Sequence, residues 1–464
     1  MTTKPTIIIL VTLATFVATA LLLLWYPQDA QCSDAPGGSE GSKVSEGSEA
    51  SEGAEGSEGH LGSFGSFDIN IMATGYAYFQ PNPKAKGEKN LFGETKIDLT
   101  YSNTFRESLF FKLSPRFQID TDHKSEGAID SFKDNDQQKK ILDVNEGFIE
   151  HRLGSFDYFI GKRILSWGKG DNFNPSDRVN PKDYTDFLDN EKTGVLLAGF
   201  KLYPTQNSQL EACLTPFFTR SRIYLADGRW APCCNSQLEI EEDIPPDTMQ
   251  YASRYSLYLK NLDIDLTYMR KTEDLPTLIA IPTPLIVGPP TLIEKYRKMN
   301  LYSIEGTTTM ADQFELHAGV TYHDIDRKEL YGKFIQYMLG INYTLDRKML
   351  FSKSIKLIGE YLGDIDLEKP ENEKLVVLDF VRIFENSLFL KLTATVTDFS
   401  DFQIGNLSSL EKAFNDILRM EYKYSPNDKL ELKVGSDFIW GHGKMIFDQF
   451  DKNDRTWAKI KYLF

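Results

Sequence analysis

The densest run of chemistry-bearing residues lies between Gly161 and Phe187, where Gly161-Lys162-Arg163 precedes WGKGDNFNPSDRVNPKDYTDF over 167–187. Arg163, Trp167, Asp171, Asp177, Arg178 and Asp183 supply both charges and one large ring. The Asn-Pro and Ser-Asp pairs favour tight Asx-type turns, so a structured loop is expected. Three aspartates could collect a hard cation through their oxygens, but their spacing does not match an EF-hand loop, and no metal is assigned. Two readings stay open: a constriction folded into a pore, or a rigid lid held by its own turns.

Covalent chemistry finds little support. The six histidines (His60, His123, His151, His317, His323 and His442) are scattered. Glu315 with His317, and Glu150 with His151, are the pairs that could act as acid and base. Neither has an obvious nucleophile beside it, so no catalytic residue is assigned and no enzyme is expected. The four cysteines, Cys32, Cys213, Cys233 and Cys234, show no C-x-x-C or C-x-x-C-H spacing, which argues against zinc and haem attachment. No cofactor is expected. In an exported chain a disulfide from Cys213 to Cys233 or Cys234 is plausible, with one cysteine left over.

The elements that must position these residues are strands. Of 464 residues 41% are hydrophobic, and mean hydropathy is −0.35. Beyond the first 26 residues no run of 18 apolar residues exists, which excludes a helical membrane bundle but not a barrel. From about residue 65 the period is two. Phe111, Leu113, Phe117 and Ile119 alternate with Lys112, Ser114, Arg116 and Gln118; Phe314, Leu316, Ala318 and Val320 alternate with Glu315, His317 and Thr321. Such alternation gives each strand one apolar and one polar face. About eighteen segments of this kind occur. Short turns at Asn103-Thr104, Gly154-Ser155, Gln206-Asn207-Ser208, Asn261-Leu262, Asn386 and Pro426-Asn427-Asp428 alternate with long polar loops. The long loops fall near 80–92, 121–138, 166–191, 220–248, 273–298, 364–374, 399–414 and 441–455.

That parity predicts an all-β fold, a transmembrane antiparallel barrel of about 18 strands over 65–464, with both termini on one side. Residues 1–32 read as a Sec-type signal peptide and 33–64 as a Ser/Glu/Gly-rich disordered linker. The last segment, WAKIKYLF, places Tyr462 and Phe464 on one face, like the C-terminal signal read by the barrel-assembly machinery. Outer-membrane lipid and lipopolysaccharide are the expected surroundings. A net charge of −15 argues against a nucleic-acid partner.

Inward polar faces carry both signs, Lys112, Arg116, Arg254, Glu315 and His317 among them, as a wet lumen needs. Their signs nearly balance, so ion preference is not legible. The apolar, Pro-rich stretch 275–293 is expected to pack against the barrel mouth. The segment W-G-x-x-D, then N-P-x-D, then Pro216-Phe217-Phe218 and Ser221-Arg222, resembles an uncharacterised family of outer-membrane porin-like barrels grouped with alginate-export-type channels. The resemblance covers roughly residues 140–230, and Arg163 stands where members often carry Gln. It implies a channel or export component. Two other classes remain: a scaffold barrel housing a periplasmic partner such as a multihaem cytochrome, and a barrel hydrolase.

Overall fold

The computed structural model describes residues 65–464, apart from 82–88, 123–124, 130–132, 226–227, 232–239, 281–290, 311–312, 326–331, 347–351, 369–375, 383, 385, 411–414 and 442–448. The expected signal peptide (1–32), the linker (33–64), and Cys233 and Cys234 lie outside the described residues.

The strands follow one another as β1 (Ser66–Tyr78), β2 (Leu91–Phe105), β3 (Leu109–Asp120), β4 (Leu142–Leu153), β5 (Phe156–Arg163), β6 (Lys182–Asp183), β7 (Glu191–Lys192) and β8 (Val195–Thr205). Then come β9 (Ser208–Thr215), β10 (Ile240–Glu242), β11 (Gln250–Tyr258), β12 (Leu262–Thr272), β13 (Thr277–Ala280), β14 (Leu292–Lys295), β15 (Lys298–Met310) and β16 (Phe314–Ile325). The last are β17 (Phe334–Leu345), β18 (Ser354–Asp366), β19 (Val376–Asp379), β20 (Ser387–Thr397), β21 (Ser400–Ser409), β22 (Asn415–Asn427), β23 (Leu430–Trp440) and β24 (Arg455–Leu463).

Eighteen of these form one sheet, each strand antiparallel to its neighbours. β1 pairs with β2 on one side and with β24 on the other, so the sheet closes and no edge remains. Closure satisfies every strand backbone without water, the condition for crossing a bilayer with strands. β6 and β7 form a small hairpin, and β10, β14, β13 and β19 a second sheet; all six lie in the long connections.

Alternation sorts the side chains as expected. Leu142, Ile149, Ile160, Ile304, Val320, Leu339, Ile341 and Ile460 are exposed on the outer face. Lys96, Asp143, Lys162, Glu211, Asp265, Glu305, His317, Glu360, Asp437 and Arg455 are buried on the inner one. This reverses a soluble fold: lipid takes the apolar side and the enclosed lumen takes the charges. Outward rings gather at two heights. Tyr251, Tyr268, Tyr302 and Tyr322 form a ladder with centroids 5.0–6.1 Å apart. Near the short turns lie Phe156 with Phe200, Phe314 with Tyr343, and Tyr462 with Phe464. Phe314 and Tyr322 are eight residues apart on β16. That is about 27 Å along a strand, or about 20 Å of height at a 40° tilt, close to a barrel's apolar band between aromatic girdles.

Most connections alternate in length as predicted, 326–333 and 346–353 being equally long, and three local corrections apply. The turn expected at Asn103-Thr104 falls at 106–108, because β2 continues to Phe105 and Arg106 and Glu107 take positive φ (49° and 62°). Asn386, expected in a short turn, instead ends the long 367–386 connection, and the short turn is Asp398-Phe399. The loop expected over 399–414 is largely β21. Its Ser, Asp, Gln and Asn composition read as loop, yet polar residues suit a strand whose inner face is wet. In β3, Pro115 cannot donate to the ladder, and the register shifts between Ser114 and Pro115 against β4.

The core lies inside the barrel. Leu165, Trp167 and Phe187 from the 164–194 connection, Ile223, Leu225 and Trp230 from 216–249, and Leu275 and Leu278 from 273–297 pack with wall residues such as Leu197 and Met269. The described part of the apolar 275–293 stretch is therefore buried, as expected: Ile279 and Leu292 also sit in the small loop sheet.

Candidate functional site

The 164–194 connection turns into the lumen and meets walls on many sides. Its neck is closed by Asn180, which is 2% exposed. The Asn180 side-chain amide donates to the carbonyls of Arg163 and Thr193 (2.9 Å each), and its oxygen accepts from the Leu165 N–H (2.8 Å). Asp177 takes the Trp167 N–H at 3.1 Å and pairs with Lys192 at 2.5 Å, tying the two arms. Asn174 bonds both the N–H and the carbonyl of Gly170, closing the tip. A Cβ on Gly170 would stand 2.1 Å from the Phe173 carbonyl oxygen, so only glycine fits there.

The tip is received by one carboxylate. Glu360 on β18 accepts the backbone N–H groups of Asp171 (2.5 Å), Asn172 (2.8 Å) and Phe173 (3.0 Å), and His317 Nε2 on β16 at 2.7 Å. Asn342 on β17 donates to Asp171 at 2.6 Å. Successive amides converging on an anion form a compact charge-assisted cradle. Asp171, His317 and Glu360 lie close enough to suggest a metal site. Both Glu360 oxygens already accept two donors each, which leaves the cluster acting as a latch.

The returning arm is pinned to the opposite wall. Glu191 accepts from Lys96 on β2 (2.9 Å) and Arg116 on β3 (2.7 Å). Asp189 pairs with Lys459 (2.9 Å), Asp186 with Arg455, and Arg419 donates to the Leu188 carbonyl (3.1 Å). Burial works to raise the Glu191 carboxyl, yet Lys96 and Arg116 hold it far below the usual carboxylate range. Asp189 is lowered too: Lys459, Arg419 and Arg455 outweigh its burial. On a third side, Trp167 Nε1 donates to Glu211 on β9 (2.9 Å), and Arg254 of β11 lies 5.2 Å over its ring.

The residues singled out from sequence divide accordingly. Trp167, Asp171, Asp177, Arg178, Arg254 and His317 all meet at this inner loop, and Arg116 anchors it from the wall. Arg178 lies 3.6 Å from Glu273, and Asp183 bonds Thr185 (2.6 Å) and faces Arg222 at 3.6 Å. The three aspartates are thus held by different partners and do not converge. Lys112 pairs with Glu146 (2.6 Å), Arg163 with Glu150 (2.7 Å) between the rings of Phe148 and Phe159, and Glu315 accepts from Thr307 (3.3 Å). These three belong to the barrel wall. Cys213 is a buried free thiol. Phe464 closes the chain by donating its N–H to the Ile69 carbonyl (3.0 Å).

Sequence reasoning did not single out Glu191 or Arg455, and it gave Asn180, Arg419 and Glu360 no role beyond the ordered loop and the inward polar faces. Parity places Glu360 on an inner face, but its three amide donors come from a loop nearly two hundred residues earlier. Arg455 sat within a stretch read as loop.

No protein-family profile matches the chain, and no curated protein matches it. Among solved structures it is similar to a variant of the Rh. blastica porin (8% identity, TM-score 0.42, 86% of this chain and 100% of that one). It is likewise similar to Pseudomonas aeruginosa OccK11 (8%, 0.48, 86% and 95%) and to Acinetobacter baumannii OccAB3 (10%, 0.47, 86% and 98%).

Proposed function

We propose that the protein is an outer-membrane channel of a Gram-negative-type cell, passing or exporting a small solute passively through a barrel narrowed by its own 164–194 loop. The observation that carries this reading is a charge-lined lumen crossed by a loop pinned to opposite walls. Lys96 and Arg116 hold it on one side and Glu360 on the other. Selection is then a matter of bore and of fixed charges along it, with no covalent step and no cofactor. Trp167, Asp171, Asp177, Arg178 and His317 belong to the constriction, while Lys112, Arg163 and Glu315 line the bore. The motif over 140–230 supports kinship with the porin-like barrels grouped with alginate-export-type channels. Tyr462 and Phe464 are the assembly signal in this reading, and lipid with lipopolysaccharide surrounds the aromatic girdles.

A scaffold housing a multihaem partner would need the space that the inner loop occupies. A hydrolase would need a hydroxyl at His317, whose Nε2 is engaged by Glu360. Liposomes loaded with the refolded protein test the channel reading. Swelling in isosmotic small sugars or amino acids supports it, and impermeable liposomes with a closed barrel refute it.

A further inference from the structure

His151 faces away from the lumen. On β4 Ile149 is exposed and Glu150 is buried inside, so alternation puts the His151 ring on the outer face. Both of its nitrogens are engaged there. Nδ1 lies 2.8 Å from the Tyr158 hydroxyl on β5, and Nε2 lies 3.2 Å from the hydroxyl of Ser108, which precedes β3. Tyr158 also packs edge-on against the imidazole, with centroids 5.3 Å apart, which fixes the plane of the ring. Ser108 is held by its own backbone, whose carbonyl accepts the Arg152 N–H at 2.7 Å. Spacing along the chain offered His151 no nucleophile; the pairing of β3 with β4 brings one from 43 residues earlier.

The surroundings point to a substrate. Tyr158 pairs in register with Phe200, inside the aromatic girdle near the short turns. Girdle rings sit at headgroup level, the depth at which glycerolipid ester groups lie between headgroups and acyl chains. Toward mid-membrane Ile149 and Ile160 are exposed for acyl chains, and toward the turn Arg106 is exposed for a lipid phosphate. Arg106 and Glu107, both at positive φ, make no backbone hydrogen bond among the described residues. Their N–H groups are the donors at hand for an oxyanion. An ionisable ring on a lipid-facing wall is costly and marks function more often than packing. A hydroxyl, an imidazole and a second hydroxyl that orients the imidazole make a nucleophile with its base.

We propose that Ser108, His151 and Tyr158 form a lipid-facing esterase site, which hydrolyses acyl esters of glycerolipids in the leaflet on the short-turn side. With Nδ1–H donating to the Tyr158 oxygen, Nε2 keeps its lone pair toward Ser108. Ser108 Oγ attacks the ester carbonyl carbon as its proton passes to Nε2. The bond from that carbon to the glycerol oxygen breaks, and the oxygen takes the proton, leaving a lysolipid and an acylated Ser108. Water then attacks the acyl carbon, giving a proton to Nε2; the fatty acid departs and Ser108 takes the proton back. Ser108 and His151 are the catalytic residues, and Tyr158 is a positioning residue. No lumenal residue takes part, so the proposal does not rest on the channel reading.

The test uses the detergent-solubilised full chain in mixed micelles with dioleoylphosphatidylglycerol, read by mass spectrometry. Oleate and lysophosphatidylglycerol should appear together, and hexadecanesulfonyl fluoride should sulfonylate the peptide carrying Ser108. Ser108→Ala and His151→Gln should each slow oleate release roughly 100-fold or more. Tyr158→Phe should lower kcat roughly tenfold and leave KM unchanged, which a merely structural loss would not do. All three side chains point outward, so the variants should keep the wild-type conductance, and failure of this site is separable from failure of the channel reading. Release by the wild-type chain no faster than by Ser108→Ala overturns the proposal. So does an unlabelled Ser108 in the wild-type chain, with no variant needed.

Discussion

Glu360→Gln tests the latch that holds the loop tip. The carboxylate accepts four donors: three consecutive backbone N–H groups and His317 Nε2. Glutamine keeps one accepting oxygen but turns an NH₂ toward the donors that met the other. At least two bonds are lost, each worth about 1.5 kcal/mol or more when the acceptor is charged, so tip docking weakens by about 3 kcal/mol. With about 1.4 kcal/mol per factor of ten, amide exchange at residues 171–173 should quicken roughly 100-fold. Hydrogen-exchange mass spectrometry on a peptide covering 169–175 reads this directly. Peptides covering 186–192 should stay protected, since Lys96, Arg116, Arg455 and Lys459 still hold that arm. Unchanged protection at 171–173, in a barrel that still runs as a folded band without boiling, would refute the assignment of Glu360 as the latch.

Three further outcomes follow from the same geometry. Arg455→Met removes a fully buried guanidinium shared by Asp437 and Asp186, leaving Asp186 inside without its cation. Breaking such a pair costs about 3–5 kcal/mol, and the urea midpoint of the detergent-folded barrel should fall accordingly. Gly161 has φ of +139°, and a Cβ there would lie 2.3 Å from the Gly147 carbonyl oxygen, so Gly161→Ala should cut the yield of assembled barrel, read by heat-modifiable gel mobility. Glu191 and Asp189 are depressed in the folded chain, so their anchoring is fully present above the ordinary carboxylate value of about 4 and is lost as pH falls from there toward their lowered folded values. Loop peptides 186–192 should therefore be protected from an acid-stable protease near neutrality and down to about pH 5, and become susceptible only under strongly acidic conditions.

The barrel was legible because lipid imposes it: Phe314, Leu316 and Ala318 must face outward, so Glu315 and His317 between them must face inward. Strand count and loop parity followed from the same rule. Positions where the rule is silent went astray. β21 offers only Phe402, Ile404 and Leu407 as obvious apolar residues, and a strand facing a wet lumen needs no more. Asn103 and Asn386 both suggested short turns, since Asn tolerates positive φ; Asn386 does adopt it (φ 50°), but at the end of a long connection, and near Asn103 it is Arg106 and Glu107 that take it. Turn chemistry in 167–187 correctly marked an ordered loop, and Asn174 and Asp177 do close it locally. What holds it across the lumen is non-local. Glu360, Arg419 and Arg455 acquire their roles only when the sheet has closed, and spacing along the chain carries no trace of that.

Planar-bilayer recording of the refolded full chain, beside a variant in which 170–190 is replaced by a short Gly-Ser linker, tests the central claim most directly. A channel narrowed by its own loop predicts discrete conductance steps from the wild-type barrel and distinctly larger steps from the loop-less one. Silence from both, or identical steps from both with closed barrels, would contradict it.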